Sequence, residues 1–181
     1  MTATRSGRFV AALADWLQAQ EHEVRTLVAD GPWFVAAGDH PAFDSLDDNQ
    51  VTAHRDEQRA LMDREIDDFD PHVVHAQHVW IHGHLALEAG VPYVITAWGD
   101  ELDVLAADSR WRRLAQETAE NAGRIFVGDA SLQARVRTAF GEVPAQVSVL
   151  DCPIPVIPAC GRQLVAAYRE VHVARFGKER P

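Results

Sequence analysis

The histidines His72, His75, His78, His82 and His84 crowd one stretch of this chain, and a carboxylate run, Asp100, Glu101 and Asp103, follows it. Imidazoles spaced as His75-x-x-His78 and His82-x-His84 are of a type that ligates metal ions. No cysteine or carboxylate stands between them, so a metal site is not the expected outcome. The competing reading is that of ordinary crevice or surface histidines, with His82 and His84 on a helix. Asp100, Glu101 and Asp103 can serve as a general base, or simply as first-turn residues that complement a helix dipole. Gly99 lies where a turn beside a ligand needs a residue without a Cβ. Gly128-Asp129 reads either as a helix N-cap with its glycine hinge or as backbone amides that face a crevice.

Short apolar runs must position these residues. Val73–Ala76, Val91–Ala97 and Arg124–Gly128 each end in small or polar residues, and helix-type segments separate them. Continuous Val/Ile runs mark strands buried on both faces, which is the signature of a parallel sheet covered by helices. Ligands of such sheets bind beyond the carboxyl ends of the strands. His75, His78, Trp98, Gly99, Asp100, Gly128 and Asp129 fall at those ends. The expected fold class is therefore α/β, a Rossmann-like parallel sheet flanked by helices.

Around these strands the spacing predicts a helix over Arg8–Gln20, capped by Ser6, and a strand over Glu23–Ala29. A long loop follows over Asp30–Gln50, in which Trp33, Phe34 and Phe43 either form a lid or tuck into the core. A charged helix over Val51–Asp67 turns Leu61 and Ile66 inward. Further helices are expected at Trp80–Ala89, at about Ser109–Asn121 after a loop that follows Gly99, and from Asp129 or Ser131 to Phe140. The last expected elements are a strand at Val147–Leu150, an extended stretch through Pro153, Pro155 and Pro158, and a helix over Leu164–Phe176.

At 181 residues the chain suffices for one well-buried domain and is too short for two full α/β domains. Its net charge of −10 disfavours nucleic acid or an anionic membrane as partner. No apolar run approaches the ~20 residues that span a bilayer, and no signal-type segment opens the sequence. With only Cys152 and Cys160 present, reduced thiols and a cytoplasmic location are expected, and a Cys152–Cys160 bridge is the geometrically conceivable exception. No P-loop, Gly-x-Gly-x-x-Gly fingerprint or Gly-x-Ser-x-Gly elbow occurs. Those absences disfavour a P-loop NTPase, a conventional NAD enzyme and a serine hydrolase.

The segments FVAALADWLQAQEHEVRTLVA, FDPHVVHAQH, GVPYVITAWGDEL, AGRIFVGDASLQARV and VSVLDCPI occur in that order. Together they resemble successive landmarks in the N-terminal, acceptor-binding half of GT-B glycosyltransferases of the family-4 type. The tail QLVAAYREVHVARFG resembles the last helix of such enzymes, which packs back across that half. The resemblance implies a single truncated GT-B N-terminal half, residues 1–158 without its first strand, with a returning helix at 159–181. It implies transfer of a hexosyl group from a nucleotide-sugar to a hydroxyl-bearing acceptor, be it a sugar, a lipid or a small molecule. Under it no cofactor is bound by this chain, and a donor-domain subunit completes the enzyme, or the chain self-associates as a homo-oligomer.

The resemblance makes His78, Trp98, Gly99, Asp100, Glu101, Gly128 and Asp129 substrate-binding candidates, and His75, His78 and Asp100 catalytic ones. Gly7 is the candidate remnant of a donor-phosphate loop. Trp98 stands where many relatives carry a histidine, and an indole offers only a donor, so this position suits sugar stacking better than proton transfer. The alternative is a non-catalytic binding or interaction module, or a decayed transferase.

Overall fold

The computed structural model describes residues 5–27, 42–143, 145–150 and 157–177. The apolar runs form four strands, β1 (Val74–Gln77), β2 (Tyr93–Ala97), β3 (Arg124–Val127) and β4 (Gln146–Val149). All pairings are parallel, in the order β1-β2-β3-β4, with Ile95 opposite Ala76 on one side and Ile125 on the other. Every residue of β2 is buried, because side chains alternate between two covered faces. Tyr93, Ile95 and Ala97 enter one core, and Val94 enters the other.

Seven α-helices lie among the described residues: α1 (Arg5–Gln18), α2 (Asp48–Phe69), α3 (His82–Glu88), α4 (Asp100–Ala107), α5 (Arg112–Asn121), α6 (Ala130–Phe140) and α7 (Ile157–Phe176). Parallel neighbours in simple sequential order, joined by right-handed crossovers, place every connection on the same face. Leu85 and Ala86 of α3, Ala115 and Ala119 of α5, and Leu132, Val136 and Phe140 of α6 accordingly share one core with Ile95, Ile125 and Val127. The opposite face is left to the two terminal helices. Phe9, Leu13 and Leu17 of α1 and Ile157, Leu164 and Ala167 of α7 bury Val94, Phe126 and Leu150.

Backbone contacts are tight where α7 docks. A Cβ on Gly161 would stand 2.6 Å from the Trp16 ring, and one on Gly123 would stand 2.4 Å from a Val171 methyl. These two positions must be glycine for the helix to lie this close. The described helix α7 is thus an integral cover of the sheet. It starts at Ile157, so the expected boundary at 158/159 falls inside its first turn. Pro158 sits in that turn and not in an extended stretch, a place proline tolerates because the first helical N–H groups need no intrahelical acceptor.

Several expectations are corrected. Residues 22–27 carry no regular secondary structure, so the described part of the Glu23–Ala29 segment is not a strand. The stretch after Gly99, expected to be a loop, is α4, and the helix expected from Ser109 divides into a 3-10 turn (Ser109–Trp111) and α5. Helix α2 begins three residues earlier than its apolar pattern indicated, because Asp47 and Gln50 form a reciprocal capping box. It buries Val51, His54, Gln58 and Met62, while Leu61 and Ile66 are only partly covered. Phe43 lies in a 3-10 turn and tucks into the core against His54 and Trp80. Trp33 and Phe34 lie outside the described residues. Cys160 is disulfide-bonded and not a reduced thiol. The other cysteine in the sequence, Cys152, lies outside the described residues. No described helix is long and apolar enough to cross a membrane.

Candidate active site at the strand ends

Two turns meet at the carboxyl ends of β1 and β2. At the first, His78 follows Gln77 with a left-handed backbone, φ +72°, and its N–H still donates to Thr96 O at 2.9 Å. A non-glycine residue held this way costs on the order of 1–3 kcal/mol, and such residues cluster at functional sites. At the second, Gly99 adopts φ +105° and opens α4. A Cβ there would also stand 3.1 Å from Leu132 Cδ1. Gly99→Ala is therefore expected to destabilise the fold by about 1–3 kcal/mol and to displace Trp98 and Asp100. A urea melt followed by Trp fluorescence checks both effects.

These turns bring three side chains together. His78 Nδ1 lies 3.5 Å from Asp100 Oδ1 and 3.5 Å from Glu101 Oε2. One ligand-type atom from each of the three residues lies within 4.8 Å of the others, the one such cluster among the described residues. A divalent cation could in principle be held by that set. Glu101, however, is fully buried and already engaged: it accepts from Gly99 N at 2.7 Å and from Trp98 N at 3.2 Å.

The two carboxyls are driven apart in acidity. Burial raises the Asp100 carboxyl above the usual carboxylate range, against the opposing pull of His78, and neighbouring Glu101 adds to the rise. Burial pushes Glu101 up as well, but His78 and the backbone N–H groups more than offset it, leaving this carboxyl below its ordinary value. Glu101 is the more acidic member of the pair.

Beside the cluster lies a crevice of about 130 Å³, lined by Ala97, Trp98, Gly128, Asp129, Ser131, Leu132 and Arg135. Trp98 donates from Nε1 to Gln77 Oε1 at 3.1 Å and stands edge-on to Phe9, which fixes its ring at the rim. Asp129 accepts from Leu132 N at 2.8 Å and caps α6, so the capping reading of Gly128-Asp129 holds while both residues also line the crevice. Arg135 reaches across to Gly99 O at 3.1 Å and to Asp103 Oδ1 at 2.5 Å. Gln77 and Arg135 carry no sequence signal for this site, because the partners they bind are distant along the chain.

The remaining candidates lie elsewhere. His75 does not join the cluster: its Nδ1 meets Tyr168 OH at 2.6 Å and its Nε2 meets Thr96 Oγ1 at 2.7 Å. Its ring lies among Phe9, Phe126 and Tyr168, and burial lowers its pKa to about 3. It is a neutral post joining α7 to the sheet, which corrects its candidacy as a base. His84 faces Thr118 and Glu88 on α3, and His72 is exposed. His82 Nδ1 donates to Gln77 O at 3.2 Å. The metal-type spacings of these histidines thus do not converge on one point. Gly7 lies in the first turn of α1 and not in a loop, so the expected phosphate-loop remnant is helical.

The parallel sheet and its helical covers make a Rossmann-like α/β domain with a polar cluster at its strand ends. The family model described as Glycosyltransferase Family 4 matches residues 6–156, and the chain belongs to that family. No curated protein matches the chain.

Proposed function

We propose that this chain is the acceptor-binding half of a nucleotide-sugar-dependent glycosyltransferase. The observation that carries the reading is the His78–Asp100–Glu101 cluster beside a crevice at the strand ends, in a chain of this family. His78 meets the acceptor hydroxyl and takes its proton. Trp98, Asp100, Gly128 and Asp129 hold the acceptor, and the Trp98 ring supplies an apolar face for a sugar.

The crevice, about 130 Å³, is smaller than the ~300–1,000 Å³ of complete ligand sites. That size supports a half-site, closed by a donor-binding domain in this polypeptide or another. Transfer needs such a domain because charge develops on the leaving phosphate and must be stabilised there. A cytoplasmic location is part of this reading. Against it stands the disulfide at Cys160, since such bonds persist mainly in oxidising compartments.

The test is release of nucleoside diphosphate from uridine and guanosine diphosphate hexoses, with alkyl glycosides and polyols as acceptors. It is run on the chain alone and with the nucleotide-binding domain of another family member added. Turnover is expected only in the second case. His78→Gln is expected to lower it by about 10²–10⁴-fold, the usual contribution of a positioned base. Unchanged turnover in that variant contradicts the role given to His78.

A further inference from the structure

Glu101 is a carboxylate in a place where no ligand reaches it. It is fully buried, yet its two oxygens are aimed with care: at the backbone N–H groups of Trp98 and Gly99, and at the Nδ1 edge of His78. A buried charge costs several kcal/mol unless it is paired and hydrogen-bonded, so a neutral side chain of similar size would be the simpler filler. The chain keeps the carboxylate at the one point where it touches both turns of the site.

We infer that Glu101 is a positioning residue: its carboxylate holds the His78 imidazole with Nδ1–H turned inward, so that Nε2 is the nitrogen presented to the acceptor hydroxyl. This rests on the reading of His78 as the group that meets that hydroxyl. A carboxylate only accepts hydrogen bonds, so a neutral imidazole facing it must carry its proton on Nδ1, which leaves the lone pair on Nε2. When the acceptor O–H bond breaks, the proton forms an N–H bond at Nε2 and the electron pair stays on oxygen. The imidazolium so formed lies 3.5 Å from Glu101, which stabilises the new charge without moving.

Asp100 is the weaker candidate for this duty. Its Oδ1 is equally near Nδ1, but its side chain is one-third exposed, and its backbone bond is to its own N–H and not to the Trp98-Gly99 turn that holds Glu101. The same Glu101 oxygens fix the Trp98-Gly99 turn, so one side chain sets the histidine and the aromatic rim together.

The tautomer is read directly by long-range ¹H–¹⁵N NMR on chain labelled at histidine, at alkaline pH, with the His78 ring identified by its loss in His78→Gln. The unsubstituted chain is expected to show His78 protonated at Nδ1 with the lone pair on Nε2. Glu101→Met removes the one oxygen, Oε2, that faces both Gly99 N and His78 Nδ1, and is expected to move the proton to Nε2. Asp100→Asn is expected to leave it on Nδ1.

An Nε2–H tautomer in the unsubstituted chain overturns the inference, and that spectrum suffices even where Glu101→Met does not fold. An unchanged tautomer in folded Glu101→Met, or a switch in Asp100→Asn, overturns it as well. No transfer assay enters this test. A His78→Gln variant with full turnover would therefore sink the proposed base while leaving the tautomer result standing.

Discussion

Leu164→Ala is expected to lower the unfolding free energy by about 2–5 kcal/mol, the usual loss when a fully buried leucine is cut back in a close-packed core. Leu164 lies on α7, has no exposed surface, and shares its core with Val94 and Phe126 at the centre of the sheet. If α7 were a loosely attached tail, the substitution would cost only a few tenths. The matched control is Val173→Ala on the same helix. Val173 is 36% exposed, and its truncation is expected to stay within about 0.5 kcal/mol. Urea melts of both variants and the unsubstituted chain, compared at constant slope, separate the two outcomes. Equal midpoints for all three would show that α7 does not cover the sheet.

Acid is expected to destabilise the fold well before the carboxylates titrate. Burial holds His75 at about 3. Burial, with His78 and His54 adding to it against the Gln77 carbonyl, holds His82 at about 4. His54 and His84 are lowered as well, again chiefly by burial. An unfolded chain protonates these rings near 6.5, while the folded one does not, so the unfolded state binds more protons below that pH. Linkage then makes stability rise with pH in this window.

The stability these rings contribute is complete above about pH 6.5 and is lost progressively towards pH 4, at no more than about 1.4 kcal/mol per pH unit for each histidine. Asp100 acts in the opposite sense, because its raised carboxyl favours the folded state on acidification. With one group opposing four, the net slope is expected to be positive. Urea midpoints measured from pH 7.5 down to 4.5 check it, and a flat profile would contradict the burial of these rings. His82→Gln is expected to flatten the curve.

The strands were legible because burial on both faces writes itself as consecutive apolar residues. Tyr93–Ala97 is the clearest case, with every position covered. Helix α4 was not read, because Asp100, Glu101 and Asp103 look like loop carboxylates beside a ligand. The apolar Leu102, Val104 and Leu105 that pack it down were there to be counted. The candidate site was legible as a set of strand ends, which topology alone dictates for a parallel sheet. Which histidine joins the carboxylates was not. His75 and His78 are three positions apart on one strand end, and what separates them is Tyr168, which lies 93 residues beyond His75 in sequence and takes up its ring. Glu101 differs from Asp100 by one step along a helix, and that step decides which carboxylate is buried and which meets solvent.

Titration of the purified chain, by NMR or calorimetry, with a nucleoside diphosphate hexose and separately with simple alkyl glycosides tests the division of labour most directly. The glycosides are expected to perturb Trp98, Gly128 and the His78 ring at millimolar concentration, while the nucleotide-sugar alone leaves those signals in place. Tight nucleotide-sugar binding by this chain on its own, centred on that crevice, would contradict the assignment of the site to the acceptor.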